Sequence, residues 1–497
     1  MARIPVSILP VLSLILLTFL LTKGFNNRPK QAALPIDFLI VGGGIAGLAC
    51  AIALRRVGHR VLVLEQDSTF PPMSGPCRMP PNLSKILYHW GLQDELRKIG
   101  VVSGAIYIGI QNTGELLGTH IWDEEVLRET RGEFIFAHIG DLRRLLYDTA
   151  LAVGANIRLG SRVRTVNPDA QTVTLVTGEV LKGDVIVGCD GPSGVTRQVL
   201  LIEQEEDEDE VPINMSMYCT TIPKSLIMKD PRLKELYDHK IPTMYTWFGD
   251  KHAVLGIPLG GRNPEFGLCA YGPQDKYEGS WQEPAPLAGL RGMLASSEPR
   301  LLRLSKLATN TACVHVDGKA PLEDWVDGFM VVMGAAVHPM PPGSIQECAL
   351  TVEDGAVLAK LFSHLHSKDQ IKSFLWAFQD LRQPRCAAVH SKEAGIIHYM
   401  TAEPGEFQCA RDDMMRAKHQ AGVGILDATG DLEEPPEWVD IKEVFGYDAE
   451  DDADNWWVEW GLLRERARNN SSGSHMGEVA GTKNLFSDVH VSHVITT

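Results

Sequence analysis

Gly42, Gly44 and Gly47 stand at G-x-G-x-x-G spacing, and an acid, Glu65, follows them. Each residue type has a physical task in such a pattern. Gly42 allows a tight turn, Gly44 lets the backbone approach a pyrophosphate, and Gly47 lets a helix lie against a strand. The helix that opens there offers free N–H groups and the positive end of its dipole to the phosphates. Glu65, about twenty residues on, is placed to bind the ribose hydroxyls of an adenosine. A glycine-rich turn alone carries little, but strand, triplet, helix, strand and acid occur here in order. The chemistry they specify is the holding of a dinucleotide.

Two later stretches add chemistry-bearing residues. Gly183 to Arg197 reads as a buried strand that ends in Asp190-Gly191 and then enters a helix. Phe329 to Met333 is a further buried strand, feeding Gly334-Ala335-Ala336-Val337-His338 and then a helix from about Cys348 to Phe362. His338 is a candidate catalytic acid or base, or else a structural residue beside a cofactor's backbone. Tyr218 is a second catalytic candidate; with Trp247 it lines a substrate pocket or, more plainly, belongs to a core. The nine cysteines form no C-x-x-C pair, so no zinc site or dithiol motif is indicated, and no metal is expected. A net charge of −16 argues against a nucleic-acid surface.

The elements that position these residues follow from local pattern. Phe38 to Val41 and Val61 to Leu64 are apolar runs suited to parallel strands buried on both faces. The Ala- and Leu-rich helix between them ends near Gly58. Helices are expected at Asn82 to Trp90, Gln93 to Ile99 and across Asp141 to Ala150, with a small meander at 156–158, 163–166 and 172–176. From Pro212 to Lys319, β-like runs alternate with turns and one helix, Pro286 to Ser296. Two helices, Ile371 to Arg382 and Arg385 to Ile397, are expected on either side of Pro384.

The fold class is therefore α/β, a Rossmann-type dinucleotide-binding domain with an inserted α+β substrate domain and an N-terminal membrane segment. The expected organisation is an anchor and linker at 1–30, the first part of the binding domain at 35–200, the substrate domain at 201–320 and a return segment at 321–400. A helical, tryptophan-rich segment at 401–467 and a disordered tail at 468–497 complete it. Ile4 to Thr22 is uncharged and almost wholly apolar, about the length that spans a bilayer. A cleaved secretory signal competes, but no A-x-A-like site follows. Lys23, Arg28 and Lys30 outweigh Arg3, which puts the downstream chain in the cytosol. The expected location is a single-pass membrane protein, in the endoplasmic reticulum, with its catalytic part facing the cytosol.

The three motif stretches resemble, in order and spacing, those of single-component FAD-dependent monooxygenases of the salicylate hydroxylase-like, aromatic hydroxylase kind. The resemblance spans residues 36–400 and implies a glutathione reductase-like FAD-binding domain. It makes Gly42, Gly44, Gly47, Glu65, Asp190, Gly191, Gly334, Ala335 and Cys348 cofactor-binding positions. Pro342, Gln346, Glu353 and Asp354 keep the family's offsets from His338, and Phe378 to Arg385 is similar to its helix ending in R-x-P-R.

The chain departs from that pattern at three places. The Asp of the usual Gly-Asp-Ala-Ala-His is Ala335, and the Gln-Gly that lies against the isoalloxazine is Gln346-Glu347. An Arg that commonly follows the helix-start His is Ile139 after His138, with Arg143 as the nearby substitute. Each lost hydrogen bond to a charged group is worth about 1.5–3 kcal/mol. The resemblance implies FAD as cofactor and NAD(P)H as a transient co-substrate. With O2 they would hydroxylate or epoxidise a lipophilic aromatic or polycyclic small molecule in secondary metabolism. The three departures motivate an alternative, a monooxygenase-like fold whose flavin chemistry has lapsed, acting as a non-oxidative enzyme or carrier. A flavin reductase or dehydrogenase is a third reading.

Overall fold

A computed structural model describes residues 29–463, apart from 70–74, 123–129, 205–209, 212–213, 275–276, 278, 282, 317 and 428–435. The apolar stretch at 4–22 and the tail from 468 lie outside the described residues. Among the described residues, no helix is long and apolar enough to cross a membrane. The described residues up to Ala453 form one compact unit; of the second, 454–463 are described and helical.

The apolar runs assemble as their burial demands. Asp37–Val41 is central in a six-stranded sheet, parallel to Arg60–Leu64 on one side and to Val185–Gly188 on the other. Met330–Val332 extends it in parallel, and a two-residue antiparallel strand, Val326–Asp327, closes that edge. Ile40, Val63, Val187 and Val331 are fully buried. This arrangement sets the carboxyl ends of all three motif strands side by side, where an open parallel sheet binds its ligand.

Asn156–Arg158 takes the far edge of this sheet, parallel to Arg60–Leu64, rather than joining the meander. The meander consists instead of Val163–Asn167, Thr172–Leu175 and Val180–Lys182. A three-residue strand has too little alternation to reveal its partner; the pairing is decided by the neighbouring buried edge.

A seven-stranded sheet forms the second layer, ordered Ala312–His315, Met215–Pro223, Glu265–Pro273, His252–Leu259, Thr243–Gly249, Ala105–Ile110 and Leu116–Ile121. Its last two strands come from a segment that the sequence reading assigns to the first part of the FAD-binding domain. Ala105–Ile110 pairs in parallel with Thr243–Gly249, Ala105 opposite Thr243. That contact spans well over a hundred residues, and local pattern carries no signal for it. The sheet's outer face packs Tyr218, Tyr245, Trp247, Phe266 and Leu268 against helices Leu287–Met293 and Pro299–Leu307.

One continuous helix, Ile371–Met400, runs through Pro384 where two had been expected. A proline inside a helix costs about 3 kcal/mol. The side chains on either side, Arg382 and Arg385, meet a buried acidic pair, and these ionic contacts hold the segment helical through the proline.

Candidate active site

The glycine turn is built tightly at two points and left open at a third. Gly42 has φ +106°, and a Cβ there would overlap the carbonyl of Cys189. A Cβ on Gly47 would overlap the carbonyl of Gly42. Gly44 has ordinary extended backbone, and an added Cβ would meet nothing within 4 Å. It is the N-cap of the first helix, Ile45–Arg56, and supplies no side-chain cap. The helix's leading N–H groups thus face an open cradle, as anion binding requires.

Glu65 is fixed beside the turn. Its Oε2 accepts from the Gly43 amide at 2.9 Å and its Oε1 from the Asp67 amide at 3.0 Å. Arg143, the proposed stand-in for Ile139, lies here. Its Nε donates to Gly43 O at 3.2 Å, and its guanidinium is 3.3 Å from Glu65 Oε2. A buried arginine therefore orients the acid and braces the turn, while the remaining lone pairs of the carboxylate can take ribose hydroxyls.

Asp190 and Gly191 pack beside this turn, the Cα of Asp190 lying 3.0 Å from where a Gly42 Cβ would sit. The Asp190 carboxylate accepts from the amide and hydroxyl of Thr196 and so caps the helix Val195–Gln204. Burial raises its pKa, against the pull of those bonds. Arg197 is buried and donates to the carbonyls of Ala336, at 2.9 Å, and Ala320, at 2.8 Å. It ties the second motif to the third.

Gly334 (φ +64°) packs on Ala46 and Thr351. A Gly355 Cβ would lie 2.9 Å from the backbone of Cys50. The first helix and the return helix, Glu347–Phe362, therefore run side by side in the same direction. Ala46 is level with Thr351, so the return helix starts about 4–5 Å further out at 1.5 Å per residue. Both N-termini therefore point the same way. Ala335 is partly exposed and brings no carboxylate. Cys348 is buried, its Sγ 3.7 Å from that of Cys77.

His338 is elsewhere. It is 2% exposed, and its Nε2 lies 2.7 Å from Asp354 Oδ2. Asp354 also accepts from the Gly334 amide at 2.9 Å and from Arg382 at 2.8 Å. Arg382 is 2.9 Å from Glu353, which Asn82 reaches at 2.7 Å. Burial resists a charge on His338, yet Cys386 and Asp354 beside it push its pKa up to about 10. Burial likewise opposes ionisation of Asp354, but His338 and Arg382 hold its pKa low. His338, Asp354 and Cys386 converge enough to resemble a metal cage. The Arg382 guanidinium on the same carboxylate makes the cluster a buried ion-pair network instead.

Tyr218 does not reach the cleft. It is 1% exposed in the outer-face core, its hydroxyl against Gly289. Trp247 lies on that same face and, with Tyr107, Tyr245 and Arg300, lines a cavity of about 330 Å³. The inner face carries the alternate residues. Tyr271 donates to Pro342 O at 3.1 Å, Met217 is opposite Tyr271, and both meet Gly343. Arg78 donates to Gly343 O. The Ile345 amide donates to Glu393 at 3.0 Å. Met217, Tyr271, Arg78 and Glu393 are the site residues that sequence reading missed. Strand alternation separates two faces but does not say which one meets the loop.

Residues 36–392 match the family described as FAD binding domain. The chain is similar to the FAD-dependent monooxygenase OpS4 of Beauveria bassiana, 29% identical over 393 residues, covering 78% of this chain and 90% of the relative. It is 23% identical over 352 residues to 6-hydroxynicotinate 3-monooxygenase of Bordetella bronchiseptica, covering 70% and 88%. A crystal structure of CtdE in complex with FAD and substrate 4 superposes with a TM-score of 0.71 at 18% identity, covering 86% of this chain and all of that one.

Proposed function

The chain belongs to the FAD binding domain family and is an FAD-dependent monooxygenase, and from that premise we propose that it uses NAD(P)H and O2 to oxygenate a lipophilic aromatic or polycyclic small molecule of secondary metabolism. The observation that carries this reading is the open Gly44 cradle, with a second, parallel helix N-terminus about 4–5 Å further out. When bound, FAD supplies the hydride and oxygen chemistry. The residues of the chain do the rest. The amides at Gly44 and beyond hold the diphosphate, and Glu65, fixed by Arg143, takes the ribose hydroxyls. The return-helix N-terminus favours negative charge in front of it. Met217 and Tyr271, both buried, pack against the Gly343 loop and keep water from that side of the site. The relative named for 6-hydroxynicotinate supports a hydroxylated ring as the substrate's reacting part.

The test is direct. The purified chain is expected to be yellow, and to oxidise NAD(P)H faster when its substrate and O2 are both present. Oxidation that is indifferent to O2 would make it a reductase.

The uncharged stretch at 4–22 supports a membrane anchor that holds the catalytic part on the cytosolic face of the endoplasmic reticulum. The full chain should then stay with membranes through an alkaline wash, while a chain lacking residues 1–30 is released. Release of the intact chain by the wash would exclude the anchor.

A further inference from the structure

We propose that Glu347 faces the redox-active ring of bound flavin, and that its charge state sets how readily the ring accepts electrons. The proposal rests on the FAD-dependent reading above and adds to it a determinant of the cofactor's potential.

Position comes first. Glu347 is the first residue of the return helix, about one turn further out than the start of the first helix. A dinucleotide whose diphosphate sits over Gly44 extends outward along that offset, so the part beyond the diphosphate meets Glu347. Residues 348–359 are all buried, whereas Glu347 keeps accessible surface. The helix has no side-chain N-cap to compete for its leading amides.

The groups around it are set in opposition. Glu393 comes from Ile371–Met400 and is fixed by the Ile345 amide. Arg78 comes from Pro76–Met79 and is fixed on Gly343 O. Its chain neighbours are tied in as well: Cys348 packs on the Cys77 thiol, and Gln346 accepts from Asn82. One guanidinium thus stands against two carboxyls. Burial, then the like charge of Glu393, pushes the Glu347 pKa up to about 7, with Arg78 pulling the other way. Burial also raises that of Glu393.

Two states follow. Below that pH Glu347 is a neutral carboxyl that can donate a hydrogen bond to the ring edge. Above it a carboxylate opposes the negative charge that reduction brings, in surroundings where Coulomb terms are large. It then cancels the help of the helix N-terminus.

The experiment measures the midpoint potential of FAD on the full chain and on Glu347→Gln, by reductive titration at pH values on both sides of 7. The two potentials should agree on the acid side. On the alkaline side the wild type should fall progressively below the variant, reaching about a tenfold weaker preference for reduced over oxidised FAD. Glu393→Gln, which removes the like charge, should move the break to lower pH. A constant offset, or identical potentials throughout, overturns the proposal, because a structural role has no reason to follow this titration. A chain that binds no FAD at any pH would instead overturn the oxygenase reading itself.

Discussion

Gly44→Ala is expected to leave the apo protein as stable as the wild type while weakening FAD binding tenfold or more; Gly47→Ala is expected to destabilise the fold itself. The two glycines are three residues apart in one turn and differ only in what a methyl group would meet. At Gly44 it meets nothing within 4 Å, and the backbone there is extended with φ −76°. Exchanging one uncapped N-cap residue for another costs under about 1 kcal/mol. The methyl would, however, project into the open space of the cradle and hold a diphosphate away. Each charge-assisted bond lost there is worth about 1.5–3 kcal/mol, roughly ten- to a hundredfold in affinity. At Gly47 the methyl overlaps Gly42 O and comes within 3.2 Å of the Ile40 side chain. Gly42 cannot retreat, because its amide is bonded to Leu64 O at 2.9 Å and its φ is +106°. Overpacking against fixed backbone costs about 1–3 kcal/mol or more. Denaturant midpoints of the apo proteins and a fluorescence titration with FAD separate the two effects. An unchanged FAD affinity in Gly44→Ala would remove the diphosphate from this turn.

What the sequence shows of this site is what lies close together along the chain. Gly42 to Glu65 is a contiguous strand–turn–helix–strand unit, so spacing alone fixes who faces whom, and the structure places each of those residues at the turn. The offsets from His338 to Asp354 likewise survive because a single loop and helix carry them. The groups around the start of the return helix were hidden for the opposite reason. Arg78, Met217, Tyr271, Glu347 and Glu393 come from elements spread over more than half the chain, and only tertiary packing decides that they meet. Tyr218 shows how this misleads. Next to Met217 in one strand, it points to the other face of the sheet, because adjacent side chains alternate. The break expected at Pro384 fails on similar grounds, since the partners that hold Arg382 and Arg385 lie on another helix.

Those same partners set the second large effect: Arg382→Met should cost about 3–5 kcal/mol at neutral pH, the usual result of leaving a buried charge without its partner. Arg382, Glu353 and Asp354 all have fully buried side chains. With the guanidinium gone, two adjacent carboxylates on the return helix keep His338, Asn82, Arg385 and the Gly334 amide. The loss depends on pH with a definite sign. In the wild type the Asp354 pKa is held low, so its contribution is full above the unfolded value near 3.8 and fades as pH falls through the lower folded one. Without Arg382 the burial that opposes ionisation is less well answered, and that pKa rises. The variant then takes up protons on folding in mild acid, and its deficit against the wild type should shrink as pH is lowered. On the alkaline side, His338 contributes fully below its unfolded value of 6.5, and its contribution is lost as pH rises through about 10. Wild-type stability should therefore decline across that window. Urea midpoints at stepped pH check both slopes, and a deficit that grows with acidity would refute the ion-pair account. Because Asp354 also holds the Gly334 amide at 2.9 Å, the network fixes the turn against which the first helix packs. Arg382→Met should accordingly weaken FAD binding as well, although Arg382 is remote from the Gly44 cradle and touches it only through that turn.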